Sequence, residues 1–265
     1  RIGMGEMNEA VDRVIAGPER KSRVITPDEK KVIAYHEGGH AVAGYFMPQA
    51  DPPFKVTIVA RGMAGGFTRS IPTDDRRLHD RPYYEAMMAQ ALGGKVAEEM
   101  IFGEPTTGAH NDIAKVTQIA REMVTQWGMS ERLGPRTFGR RESLVFLGRD
   151  IAEQRDYSER TAEEIDEEVR RVIDEAHARC RAILEQHRDK LELLASKLVE
   201  VETVEGDDLH RLLGPAENRS MPEDDTPALT PPPATPLPAE PIPGEAPQGR
   251  PGLAWGNSNA APPGD

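Results

Sequence analysis

His36, Glu37 and His40 stand in the order H-E-x-x-H, within the run His36-Glu37-Gly38-Gly39-His40. Residues four apart in a helix lie one turn above each other on one face, so both imidazoles can point at a single metal ion. Glu37 directly follows the first of them, within reach of a water beside that metal. A Lewis acid, a nucleophile and a general base then fit within a turn and a half of helix, the pattern of zinc-dependent peptide hydrolysis.

The flanks support this against a solvated surface helix. Val32-Ile33-Ala34-Tyr35 precede the motif and Ala41-Val42-Ala43-Gly44-Tyr45-Phe46 follow it. Ile33, Ala41 and Gly44 share the helical face of the two histidines and Glu37. Two adjacent glycines inside a helix each cost roughly 1 kcal/mol relative to alanine, and such a cost usually marks a close backbone approach or a functional site.

A catalytic zinc usually takes three protein ligands. The nearby third histidine of the longer H-E-x-x-H-x-x-G-x-x-H pattern is absent, because Phe46 occupies its place, so the third ligand comes from a later element. Asp112 opens a helix and shares a stripe with Val116, Ile119 and Met123, where a carboxylate needs a cation or donors. An acid facing the helix dipole is the simpler account of it. Glu98 shares a stripe with Met87, Ala91, Gly94 and Ile101 and suits either a ligand or a carboxylate that accepts from a ligating imidazole. His110 is a weaker candidate. Spacing alone does not choose among the three.

The elements that must position these residues are mostly helices. Met4 to Ile15 has helical periodicity and stops at Gly17-Pro18. Thr26 as cap, Pro27 at the first position and Asp28-Glu29 in the first turn start the motif helix, which runs to about Phe46. Phe54 to Val59 alternates and reads as a strand, Gly62 to Gly66 as a turn, and Phe67 to Ile71 as a second, pairing strand. Pro82 to Ile101 is helical and interrupted at Gly93-Gly94, and Asn111 to Trp127 is helical again. Ser130 to Gly148 is irregular. Thr161 to about Val201 is a long charged helix with a break at His187-Arg188-Asp189, and a short helix spans Glu205 to Leu213. The fold class is therefore mainly α, a helical zinc-peptidase domain with a small β element after the motif helix and long C-terminal helices. Most of the 23 prolines lie beyond Gly214, in a segment too poor in apolar residues to offset its ordering entropy, so a disordered tail is expected there.

The 265 residues carry a net charge of -12, from 45 acidic and 33 basic side chains, which gives no sign of nucleic-acid binding. Cys180 is the single cysteine, so no intrachain disulfide forms, and its place in a helical pattern reads as packing rather than catalysis. No apolar run is long enough to span a bilayer. The chain starts at Arg1 in what reads as mid-helix, as a piece of a longer protein would.

The chain resembles the peptidase domain of the FtsH-type ATP-dependent zinc metalloproteases over roughly Asn8 to Leu213. The resemblance rests on ordered blocks: residues 10–17, AVDRVIAG; the HEGGH motif; residues 92–99, LGGKVAEE; residues 106–113, TTGAHNDI; and residues 123–130, MVTQWGMS. It implies His36, His40 and Asp112 as ligands of one Zn²⁺, Glu37 as the catalytic base, and Glu98 close behind the metal. Gly38 stands where alanine is more usual, Lys95 where arginine is, and His110 where a small or polar residue is. The resemblance further implies polypeptide substrates, a homo-hexamer, and a parent protein at the cytoplasmic face of the bacterial plasma membrane. The membrane segments and the AAA ATPase module that binds ATP and Mg²⁺ would precede this domain. No G-x-x-x-x-G-K-[ST] occurs here, so ATP belongs to the parent. Residues 1–17 are expected to end the ATPase lid, residues 18–213 to form the peptidase and residues 214–265 the tail.

An extended substrate could add to a sheet edge at Val56 to Val59 or at the segment after Gly65-Gly66, which makes Val59, Gly65 and Gly66 the candidate substrate contacts. The competing readings are a non-catalytic oligomerisation module and a small-molecule metallohydrolase. Since ligating imidazoles must be neutral, activity is expected to fall below about pH 6.

Overall fold

The computed structural model describes residues 3–19, 25–62, 64–72, 78–139 and 156–215. The chain divides into two units, Arg1–Ser220 and Met221–Asp265, and every described residue belongs to the first. The expected tail beyond Pro215, and the part of the irregular segment after Gly139, lie outside the described residues.

Helix α1 spans Met4–Ala16, and the Glu6 carboxylate reaches back to the Gly3 amide at its start. Helix α2 spans Pro27–Phe46 and carries the motif. Thr26 caps it, accepting from the Glu29 amide at 3.2 Å, with proline at the first position, as the sequence indicates. Most of α2 from Ala34 onward is buried. It is the central helix, packed by α4 (Gly93–Phe102) and α7 (Arg188–Val201). The expected Pro82–Ile101 helix is two helices, α3 (Arg81–Ala91) and α4, with Leu92 between them.

The double glycines explain how α2 and α4 cross. A Cβ on Gly39 would lie 2.2 Å from the Gly93 carbonyl oxygen, and one on Gly93 would lie 2.5 Å from that of Gly39. Only two glycines allow the backbones to touch there, which brings the face of α4 that carries Glu98 up to His36.

Helix α5 (His110–Thr125) follows a 3₁₀ turn at Thr107–Ala109. It packs on α3 and on α6 (Glu159–Gln186), whose buried stripe is Ile165, Val169, Val172, Ala176, Cys180 and Leu184. The break at His187 falls where the sequence places it, and α7 follows with Leu191, Leu194, Ala195 and Leu198 buried. Trp127 lies beyond α5 and stacks on Tyr84, ring centres 4.3 Å apart.

The sheet has the order β2-β1-β3, all antiparallel, from β1 (Pro53–Thr57), β2 (Phe67–Ser70) and β3 (Thr203–Glu205). Two expectations are corrected. Glu205 belongs to β3, and the last helix, α8, spans Asp207–Leu213. A three-residue strand is too short to show alternation, and Glu202, in the left-handed region at φ 64°, turns the chain from α7 into it. The second correction concerns the edge. Val56 pairs with Thr68 on one side and Val204 on the other, so β1 is central and offers no edge. Among the described residues, the open edge on the motif side is β2.

Candidate metal centre

Helix α2 presents His36 and His40 one turn apart, and the first turn of α5 brings Asp112 to them. The two Nε2 atoms are 3.1 Å apart, and Asp112 Oδ2 lies 3.2 Å from His36 Nε2 and 3.3 Å from His40 Nε2. Ligand atoms 2.0–2.1 Å from a tetrahedral zinc stand roughly 3.3 Å from each other. The trio therefore already has the spacing of one face of such a site. Among the described residues it is the one group of three or more His, Cys, Asp or Glu side chains that converges in this way.

The rings are oriented from behind. His40 Nδ1 lies 2.9 Å from the Gln90 carbonyl oxygen. A carbonyl only accepts, and it lies closer than the Gly94 amide at 3.4 Å, so Nδ1 carries the proton and Nε2 presents its lone pair. His36 Nδ1 is 2.7 Å from Glu98 Oε1, and the same logic holds for an ionised carboxylate. Two lone pairs and a carboxylate oxygen thus converge on one point, an arrangement that demands a proton or a cation. The residues present fit a zinc ion.

The electrostatics follow. Burial would lower the His36 pKa, but its bonds to Asp112 and Glu98 override this and push it up to about 10. Burial acts to raise Asp112, yet its bonds to His36 and His40 hold it well below the usual carboxylate range. Without metal, His36 therefore holds a proton that an ion bound at this point would displace. Apparent zinc affinity is expected to fall about tenfold per pH unit between pH 9 and 7, with about one proton released per zinc. Calorimetry in buffers of different ionisation enthalpy measures that proton, and a pH-independent affinity would contradict the assignment.

Glu98 joins α2 to the approach of α5. It is 1% exposed, and its Oε2 accepts from the Thr106 amide, just before the 3₁₀ turn that leads to Asp112. Burial raises its pKa, and the bonds from His36 and Thr106 more than reverse that. Gly94, on the same helix, makes room for the ring: a Cβ there would lie 2.4 Å from His36 Cε1. Glu98→Gln is expected to weaken zinc binding about 10- to 100-fold in a competition titration, with unchanged affinity as the contrary result.

Glu37 is 6% exposed. Burial raises its pKa, against the histidines and a hydrogen bond from Thr68 that act to lower it. Thr68 Oγ1 lies 2.9 Å from Glu37 Oε2 and 3.1 Å from the Glu37 carbonyl oxygen. A carboxylate raised above its ordinary value holds a proton more readily than a free one, which suits it to both taking and returning one.

The other candidates separate. Gly66 packs against Glu37, where a Cβ would lie 2.9 Å from its Cγ, and Gly65 lies against Ile33. Val59 lies past the end of β1, and its amide donates to Thr57 Oγ1 at 3.2 Å. His110 is exposed and stands outside the converging trio. Cys180 is fully buried, and that burial first, with Glu99 nearby, pushes its thiol up to about 12, which suits packing rather than nucleophilic attack. Sequence reasoning missed Thr68, the Gln90 carbonyl and the Thr106 amide. The last two are backbone groups with no residue-type signal, and Thr68 becomes relevant only once β2 lies beside α2.

Residues 23–212 match the family described as peptidase family M41. The chain is 54% identical over 231 residues to the ATP-dependent zinc metalloprotease FtsH 1 of Thermomicrobium roseum, covering 87% of this chain and 35% of that protein. It is 53% identical over 218 residues to the ATP-dependent zinc metalloprotease FtsH of Kosmotoga olearia, covering 82% and 34%. It is 48% identical over 224 residues to that of Bacillus subtilis, covering 84% and 35%. The chain thus spans about a third of the length of these curated relatives.

Proposed function

This chain belongs to peptidase family M41, and from that premise we propose that it is the zinc endopeptidase part of an FtsH-type ATP-dependent protease. His36, His40 and Asp112 hold one Zn²⁺, and Glu37 is the base. The observation that carries this reading is the convergence of the two Nε2 atoms and Asp112 Oδ2 within 3.3 Å, with Glu37 adjoining on the same helix.

Bound zinc supplies a Lewis acid that polarises the scissile carbonyl and acidifies the attacking water. The Gln90 carbonyl and Glu98 keep the two imidazoles in the ligating tautomer. Thr68 engages Glu37 Oε2, which leaves Oε1 to take the water's proton and pass it to the departing amine nitrogen. Edge strand β2, entered through Gly65 and Gly66, receives the substrate as an added strand beside Glu37. Val59 stands at the other side of that turn. Backbone pairing of this kind tolerates many sequences, as degradation requires.

The substrates are unfolded polypeptides or chains delivered by the parent's ATPase, whose lid α1 ends. The parent assembles as a hexamer on the cytoplasmic face of a bacterial plasma membrane through its preceding segments. Among the described residues no helix is long and apolar enough to cross a membrane.

The test is cleavage of a permanently unfolded, fluorescently labelled protein without ATP. The expected result is cleavage that stops when a chelator removes zinc and returns when zinc is restored. Cleavage that survives chelation, or none with zinc bound, would count against the reading.

A further inference from the structure

Strand β2 is held from both faces. Successive side chains of a strand point to opposite sides, so Thr68 reaches α2 and Glu37 while Arg69 reaches α1. Arg69 is directly opposite Lys55 in the β1–β2 register. Like charges facing each other across two strands push them apart, and here Arg69 is 7% exposed, so water screens it little. The counter-charge comes from a different element. Asp12, on α1, is 0% exposed. Its Oδ1 lies 2.6 Å from Arg69 Nη1 and its Oδ2 lies 2.8 Å from Lys55 Nζ.

Lys55 has a second anion in Glu205, at 3.1 Å. Among the described residues Arg69 has no other: its Nη2 donates to the neutral Asn8 amide oxygen at 3.3 Å, and its Nε is buried without a hydrogen-bond partner. Arg61, just before the turn into β2, is bound to α1 as well, both of its terminal nitrogens donating to Glu9. The face of α1 that carries Glu9 and Asp12 is thus a charged clamp on the strand that supplies Thr68.

We propose that Asp12 is a positioning residue for the catalytic base: by neutralising Arg69 opposite Lys55 it holds β2 in register, and Thr68 against Glu37, so that docking of α1 sets the geometry of the proteolytic site. The catalytic part of this rests on the zinc-peptidase reading. The clamp itself does not, because it can be measured without zinc or substrate.

The experiment compares wild type, Asp12→Asn, Arg69→Met and the double variant. Hydrogen exchange is followed at the protected amides of β2, with α6 as the internal reference. Methionine has nearly the volume of arginine and no charge, so it removes the buried cation that Asp12 neutralises. The expected result is at least tenfold faster β2 exchange in Asp12→Asn with α6 unchanged, and restoration to within about threefold of wild type in the double variant. Equal acceleration of β2 and α6 would mean general destabilisation and would overturn the proposal. So would a double variant no slower than Asp12→Asn. If Asp12→Asn does not fold, the double variant decides: the proposal requires it to fold with β2 protected, and its failure to do so overturns the clamp.

In zinc-loaded protein, Asp12→Asn is expected to lower kcat about tenfold at unchanged zinc content, with kcat recovered in the double variant. Wild type that cleaves nothing while the exchange pattern holds would sink the peptidase reading and leave the clamp standing.

Discussion

Glu37→Gln is expected to lower kcat about a hundred- to ten-thousandfold, the range for removing a positioned general base, while zinc stays bound and the protein becomes more stable. The loss follows from the position of Glu37, which directly follows the proposed ligand His36 on a helix whose other proposed ligand is His40, with Thr68 fixing one of its oxygens. Glutamine has the same shape and keeps an oxygen to accept from the Thr68 hydroxyl, but it takes no proton. The gain in stability follows from burial. A carboxyl raised above its ordinary value of 4.5 by desolvation costs stability wherever it must ionise. That cost is absent below the ordinary value and grows as pH rises through the folded one. At neutral pH the advantage shows as a higher melting temperature, about 2–4 °C for each kcal/mol in a domain of this size. Thermal unfolding of metal-free protein at several pH values measures it, alongside turnover of the labelled substrate. The advantage should vanish below the ordinary carboxylate pKa. Retained turnover, or a lower melting temperature at neutral pH, would show that Glu37 is neither the base nor a strained buried acid.

Gly39→Ala is expected to have the opposite thermal effect, despite alanine's better helix propensity. The new Cβ would lie 2.2 Å from the Gly93 carbonyl oxygen and 2.7 Å from Ala97 Cβ. Neither neighbour is the free end of a flexible chain, so α2 and α4 must separate. Overpacking of this kind costs about 1–3 kcal/mol or more, against a propensity gain of about 1 kcal/mol. With backbone against backbone the upper end applies, giving a net loss of about 2 kcal/mol and about 4–8 °C in melting temperature. Zinc affinity should fall too, because α4 carries the Glu98 carboxylate that orients His36. Gly5→Ala, in α1 with open space around its Cβ position, is the control and should be neutral or stabilising. A Gly39→Ala variant that melts no lower than wild type and binds zinc normally would contradict the crossing described here.

The motif was legible because its physics is local. His36, Glu37 and His40 are fixed relative to each other by one helix, and the cap at Thr26-Pro27 announced where that helix starts. The double glycines were legible as anomalies, since two helix-weakening residues in each of two helices pointed to close packing before the packing was visible. The proposed third ligand was not legible from spacing. Asp112 lies far along the chain from His40, and what joins them is a crossing of α2 with α4 and a turn pinned by Glu98, none of which has a sequence period. Only the likeness to a known family singled it out from Glu98 and His110. The sheet was half legible. The β1–β2 pair follows from alternation around a glycine turn, whereas the three-residue β3 is made by its partner and not by its own pattern. Its absence from the sequence reading is why β1 looked like a free edge. The Asp12 clamp was invisible for the same reason: in the chain, Asp12 is one polar residue in an amphipathic helix, and its meaning comes from Arg69 and Lys55 meeting across strands.

The most direct test of the metal centre is anomalous diffraction at the zinc absorption edge from crystals of the zinc-loaded protein. One strong peak is expected, about 2.0–2.2 Å from His36 Nε2, His40 Nε2 and Asp112 Oδ2. No peak there, or a peak that includes the Glu98 carboxylate or the His110 ring in place of Asp112, would contradict the assignment.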